Sequence, residues 1–190
     1  DEFLLQTFTR KDGAKMKIVA ACMDSGGHFA NQVYKFCKQR TTRRVFAIRG
    51  ASRPDAPYIP NATHNNREKA PLFVVNVDTG KSLLYQRLQV AEPGPGYCHF
   101  PSDDGKGYDE TYFMGLTAEK MVMTYKRGRA CYVWTLKDSG YRRNEPLDLR
   151  NYATVALEIA NPKLEKPDKK EGSAPPKAKR GRRKLSGGVV

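Results

Sequence analysis

Hydrophobic and polar positions follow two different periods along this chain. Phe3, Leu4, Leu5 and Phe8 recur at helical spacing and predict the end of an amphipathic helix, with Lys11-Asp12-Gly13 as its exit. Lys17 to Met23 is a short apolar run with β-branched members, which predicts a strand buried on both faces that delivers Asp24 at its carboxyl end. After Gly26 and Gly27, the apolar positions Phe29, Val33, Phe36 and Cys37 return to helical spacing, with Asn31, Lys35, Lys38 and Arg40 on the opposite face. Arg43 to Arg49 alternates as a strand does. Strand, helix and strand in that order are most economically joined as a right-handed parallel crossover, so the pattern predicts an α/β sheet.

Residues 50–71 are rich in Pro, Asn, Ala and Arg without periodicity and read as a long loop. Leu72 to Val77 predicts the next strand, ending on Asp78, and Lys81 to Leu88 a helix, repeating the order of strand, acid, glycine and helix. Glu92-Pro93-Gly94-Pro95-Gly96 breaks the chain, and Asp109 to Leu116 reads as a helix. Met121 to Lys126 and Ala130 to Leu136 predict a hairpin closed by Arg127-Gly128-Arg129. Pro146 to Ala160 predicts a helix with Pro in its first turn, where its missing N–H costs nothing. From Asn161 the composition shifts to Pro, Lys, Glu, Gly and Ala, the signature of a disordered tail. The division is therefore one domain over 1–160 and a basic tail over 161–190.

Charge narrows the partners. Lys and Arg number 34 against 20 acids, a formal charge of +14. Ten basic and three acidic side chains fall between Pro162 and Val190, so the tail carries half of that excess and the folded part the other half. Such a balance favours a polyanion, nucleic acid above all, because each neutralised phosphate releases counterions. No apolar run approaches the ~18 residues that span a bilayer, so no membrane partner is expected. Cys22, Cys37, Cys98 and Cys131 form no C-x-x-C pair, which argues against a zinc ribbon and for reduced thiols. The opening Asp-Glu-Phe-Leu-Leu lacks the basic start of a secretory leader, and a reducing cytoplasm fits best.

Candidate chemistry centres on carboxylates. An acid at the carboxyl end of a parallel strand lies in the crevice where open α/β sheets place ligands, and Gly26 and Gly27 allow close approach of a polyanion. The alternative is that Asp24 caps the following helix. Asn144-Glu145-Pro146-Leu147-Asp148 sets Glu145 and Asp148 on one face of a first helical turn, either as ligands or as acids favoured by the helix dipole. Asp24 and Asp148 converging would offer hard oxygens to Mg²⁺ or Mn²⁺, and two such ions ~4 Å apart suit phosphodiester hydrolysis. Thr79-Gly80-Lys81-Ser82 resembles a phosphate loop only superficially, since the first glycine of that motif is replaced by Val75. Lys81 then either meets a nucleic-acid phosphate or, more plainly, is a solvated helix lysine. Asp78 reads as a helix cap in preference to a ligand. His28 borders Asp24 as a proton shuttle or as an ordinary surface histidine, and the basic run 177–184 as a nonspecific polyanion contact.

Seven stretches taken in order resemble the C-terminal nuclease domain of the large terminase subunit of lambda-like tailed bacteriophages. They are M-D-S-G-G-H (23–28), V-Y-K-F-C (33–37), R-R-V-F-A-I-R-G (43–50), V-N-V-D-T-G-K (75–81), P-G-Y-C-H-F-P (95–101), L-T-A-E-K (116–120) and R-N-E-P-L-D (143–148). The resemblance implies a ribonuclease H-like mixed sheet flanked by helices. It also implies a metal-dependent endonuclease that cuts concatemeric double-stranded DNA in the bacterial cytoplasm, joined in the full protein to a packaging ATPase, a small terminase subunit and a portal. It assigns the strand-end acid to Asp24 and the helix acid to Asp148, with Glu145 nearby; Gly26, Gly27, His28 and Lys81 become DNA-contact candidates, and Asp78 and Glu119 receive no role. The family's domain opens with a strand bearing another metal-binding Asp, and this chain is expected to begin after it. A noncatalytic DNA-binding or assembly module is the rival expectation.

Overall fold

The computed structural model describes residues 1–163 except 11, 54, 102–104, 127, 139 and 140; the basic run 177–184 and nearly all of the predicted tail lie outside the described residues. The chain opens with a short helix α1 (Glu2–Leu5) and an antiparallel hairpin of β1 (Thr7–Thr9) and β2 (Lys15–Lys17). Here the predicted helix is corrected. Phe8 belongs to a strand paired with Met16, and the run from Lys17 to Met23 is divided between β2 and β3 (Ala21–Asp24). The division falls at Val19, which is exposed rather than buried.

From β3 the pattern reads true. Helix α2 (Ala30–Lys38) leads to β4 (Val45–Gly50), and the long loop leads to β5 (Leu72–Val75); the three strands form one parallel sheet in the order β3-β4-β5. Alternation along β4 sends Val45 and Ala47 to Tyr34 and Cys37 of α2, while Ile48 faces Val75 and Val155 on the other side. Val155 belongs to the last helix, so both faces of the sheet are covered, as a parallel sheet requires.

The second half supplies helix α3 (Val77–Leu88), helix α4 (Glu110–Leu116), the antiparallel pair β6 (Glu119–Lys126) and β7 (Arg129–Leu136), and helix α5 (Glu145–Ala160). Leu84, Leu116 and Leu147, one from each helix, form a common buried cluster. The architecture is α/β, with three separate sheets among the described residues instead of one mixed sheet.

Helix α3 begins earlier than its pattern predicts, because Asn76 and not Asp78 caps it. The Asn76 side chain accepts from Thr79 N–H at 3.1 Å and donates to the Ala56 carbonyl at 2.8 Å. Asp78 sits inside the first turn, where its carbonyl accepts from Ser82 and Trp134. Asn76→Ala is expected to cost about 1–2 kcal/mol, read as a lower urea midpoint at unchanged slope.

Gly80 is a helix residue with a packing reason. A Cβ there would lie 2.0 Å from Asn151 Oδ1 and 2.7 Å from a Tyr58 ring carbon, so only glycine lets α3 approach α5 this closely.

Candidate active site

Asp24 ends β3 and is exposed. The chain after it is tied down: the Ser25 N–H and hydroxyl both donate to the Ile48 carbonyl at 2.8 Å, which holds the carboxyl edge of the sheet. Gly26 N–H donates to Asp24 Oδ1 at 2.8 Å, closing a local turn. A Cβ at position 26 would press to 3.2 Å from that oxygen, whereas one at Gly27 would meet open space. The capping alternative is thereby corrected. Helix α2 starts only at Ala30, follows Phe29, and has no side-chain cap. Gly26, Gly27 and His28 are exposed beside Asp24.

Asp148 stands in the first turn of α5. One turn further along that helix the Tyr152 hydroxyl donates to Asp24 Oδ2 at 3.3 Å. Burial, and then the nearby charges of Asp24 and Asp148, raise the Tyr152 hydroxyl above its ordinary range. Both acids therefore bear on one phenol, which stays a neutral donor wherever the carboxylates are ionised.

The structure corrects the reading of Lys81. It is only 7% exposed, and its ammonium lies 2.8 and 2.9 Å from the two oxygens of Glu119 and 2.9 Å from Asp148 Oδ1. A lysine held in this way is neither solvated nor open to a DNA phosphate. Burial alone would push its ammonium down, but the hydrogen bonds and charges of Glu119 and Asp148 outweigh that, and the net shift is upward. The two acids thus favour the charged form of Lys81. Asn144 joins the cluster by donating through Nδ2 to Glu119 Oε1 and, at 3.3 Å, to Asp148 Oδ2. Glu145, exposed at the start of α5, has Arg143 at 3.6 Å as its ion-pair partner.

Sequence reading missed this pairing because Lys81, Glu119 and Asp148 are far apart in the chain and belong to three elements. Tyr152 had a visible signal, its spacing of four from Asp148 on a predicted helix.

The donor chemistry fits one hard cation. Mg²⁺ is commonly held by one or two carboxylates, with water and substrate phosphate filling its remaining positions. Asp24 and Asp148 are two carboxylates that both act on Tyr152. Among the described residues, no group of three or more His, Cys, Asp or Glu side chains is placed to hold a metal.

An α/β domain with strand-end and helix-borne acids is one of several scaffolds for nucleic-acid chemistry, and sequence comparison makes the choice. Residues 1–169 match the family described as terminase large subunit gpA, endonuclease domain, and the chain belongs to that family. It is 37% identical over 164 residues to the terminase large subunit of Escherichia phage lambda, covering 84% of this chain and 25% of that protein. It is 31% identical over 201 residues to the terminase large subunit of Enterobacteria phage P21, covering 100% of this chain and 30% of that one. The chain thus spans between a quarter and a third of the length of the curated relatives it matches. No solved structure matches it. No helix among the described residues is long and apolar enough to cross a membrane.

Proposed function

We propose that this domain is the DNA-cutting part of a phage packaging terminase: a Mg²⁺- or Mn²⁺-dependent endonuclease acting on concatemeric double-stranded DNA in the host cytoplasm. The observation that carries the reading is Tyr152, which hydrogen-bonds Asp24 and feels the charge of Asp148, in a chain of this family. A ribonuclease H-like arrangement is part of the proposal, supported by the parallel order β3-β4-β5 with an acid at the strand end and a helix-borne acid beside it.

A bound Mg²⁺ or Mn²⁺ would supply Lewis-acid polarisation of the scissile phosphate. Asp24 and Asp148 would hold it. Tyr152 fixes one oxygen of Asp24 and Gly26 N–H the other, so that carboxylate is oriented before substrate arrives. Glu145, on the exposed first turn of α5, is our third candidate acid, and the exposed Gly26, Gly27 and His28 border the path of the DNA. Two-metal hydrolysis would need ligands beyond Asp24 and Asp148.

The test is cleavage of supercoiled plasmid by the 190-residue chain with Mg²⁺, with Mn²⁺ and with chelator. Nicking that requires the divalent ion supports the reading; nicking that persists in chelator contradicts it. Tyr152→Phe, which removes one hydrogen bond to Asp24, is expected to slow cleavage about five- to tenfold, from a loss of ~1 kcal/mol of positioning.

The charge of +14 favours a second role in the same assembly, DNA retention. DNA affinity is expected to fall linearly with salt on a log–log plot. Salt-sensitive binding without any metal-dependent cutting would favour the noncatalytic module. Small-subunit and portal partners belong to the full-length protein and are proposed for it alone.

A further inference from the structure

Lys81 poses a question that stability does not answer. Burying an ammonium is expensive, and exchanging a buried ion cluster for apolar side chains of similar size is often neutral or stabilising. Yet Lys81 and Glu119 are among the most buried polar residues of the fold, and they lie against an acid of the candidate active site.

The ion pairs suggest what the lysine does. Glu119 and Asp148 bring two carboxylates onto one ammonium, which neutralises one of their two charges from the place between them. Glu119 is 4% exposed and held by both Lys81 and Asn144, so neither oxygen faces solvent for a hard ion. Without the lysine, Glu119 and Asp148 would be neighbouring carboxylates sharing the Asn144 amide as donor, an arrangement that attracts a cation.

We propose that Lys81 is a built-in cation standing where a second metal ion would otherwise be bound, with Glu119 as its dedicated counter-ion, so that the site takes one divalent ion. The proposal rests on the metal-binding reading of Asp24 and Asp148. Lys81 is a positioning residue: it holds Oδ1 of Asp148 at 2.9 Å, while Oδ2 accepts the longer Asn144 bond at 3.3 Å and belongs to a side chain that, unlike Glu119, is partly exposed to an incoming ion.

The experiment is a Mn²⁺ titration of the full chain, counting bound ions by the paramagnetic resonance of free Mn²⁺, with circular dichroism to establish folding. Wild type is expected to bind one ion, and Asp24→Asn to bind it at least tenfold more weakly. Lys81→Met is expected to bind two, the second disappearing when Glu119→Gln is added. Lys81→Arg, which keeps the charge, is expected to bind one. If Lys81→Met does not fold, the pair Lys81→Met with Glu119→Leu removes both charges; it is expected to bind one ion at least as tightly as wild type.

Two ions on the wild type, one ion at unchanged affinity on folded Lys81→Met, or none on the folded double variant would overturn the role of Lys81. No ion on the wild type, with Asp24→Asn indistinguishable, would overturn the metal reading itself and this proposal with it.

Discussion

Asp24→Asn and Asp148→Asn are each expected to lower divalent-dependent plasmid cleavage by about a hundredfold or more, while shifting the melting temperature little. The magnitude follows from a weakened hold on the divalent ion, the positive charge that meets developing negative charge on the phosphate; loss of one such preorganised stabiliser is typically worth about 10²–10³ in rate. The substitutions separate charge from shape. Asparagine at 24 still accepts from Gly26 N–H through its carbonyl, and its Nδ2, in the place of Oδ2, donates to the Tyr152 hydroxyl oxygen instead of accepting from it, so the local turn persists. Because Asp24 is exposed, its replacement leaves no buried group unpaired. At 148 the change removes one partner of Lys81, but Glu119 still pairs both its oxygens with the ammonium. Cleavage by either variant at wild-type rates would dismiss these acids from the chemistry.

Gly80→Ala is expected to destabilise the domain by about 2–4 kcal/mol. A methyl group 2.0 Å from Asn151 Oδ1 requires α3 and α5 to separate or Asn151 to turn away. Overpacking of this kind costs about 1–3 kcal/mol. Turning Asn151 would also break its bonds to the Tyr58 hydroxyl at 3.1 Å and the Val77 carbonyl at 3.2 Å, leaving buried polar atoms at about 1–3 kcal/mol. The better helix propensity of alanine returns about 1 kcal/mol. Denaturant unfolding checks the prediction; an unchanged or raised midpoint would mean that the helices do not pack as closely as described. Since the α3–α5 contact places Lys81 beside Asp148, a folded Gly80→Ala protein should also lose activity out of proportion to its stability.

The same glycine shows what could be read from sequence and what could not. In Gly80-Lys81-Ser82 the local pattern suggests a phosphate loop, and Val75 excludes it, but the actual reasons for Gly80 and Lys81 lie in Glu119, Asp148 and Asn151, roughly 40 to 70 positions away. Periodicity found α2, α3, α4 and α5 because each buries one face in a hydrophobic cluster, β4 because its alternate residues fill two of them, and the β6–β7 hairpin from two β-rich runs around a turn. It failed at the start of the chain, where β1 and β2 are exposed three-residue strands that carry no alternation to detect. Asp24 was visible because strand ends are marked by where an apolar run stops. Glu119 and Asn144 were not, since their importance comes from converging on one ammonium, and no local spacing encodes that convergence.

All four cysteines are free thiols. Burial pushes the Cys22 thiol, on the strand that carries Asp24, up to about 12, which keeps it un-ionised beside the site.

The most direct measurement of the central claim is anomalous diffraction from crystals of this chain soaked in Mn²⁺. The account predicts one manganese peak whose nearest protein atoms are carboxylate oxygens of both Asp24 and Asp148, with Lys81 still on Glu119. A peak that touches neither acid, or no peak at a concentration that supports cleavage, would contradict it.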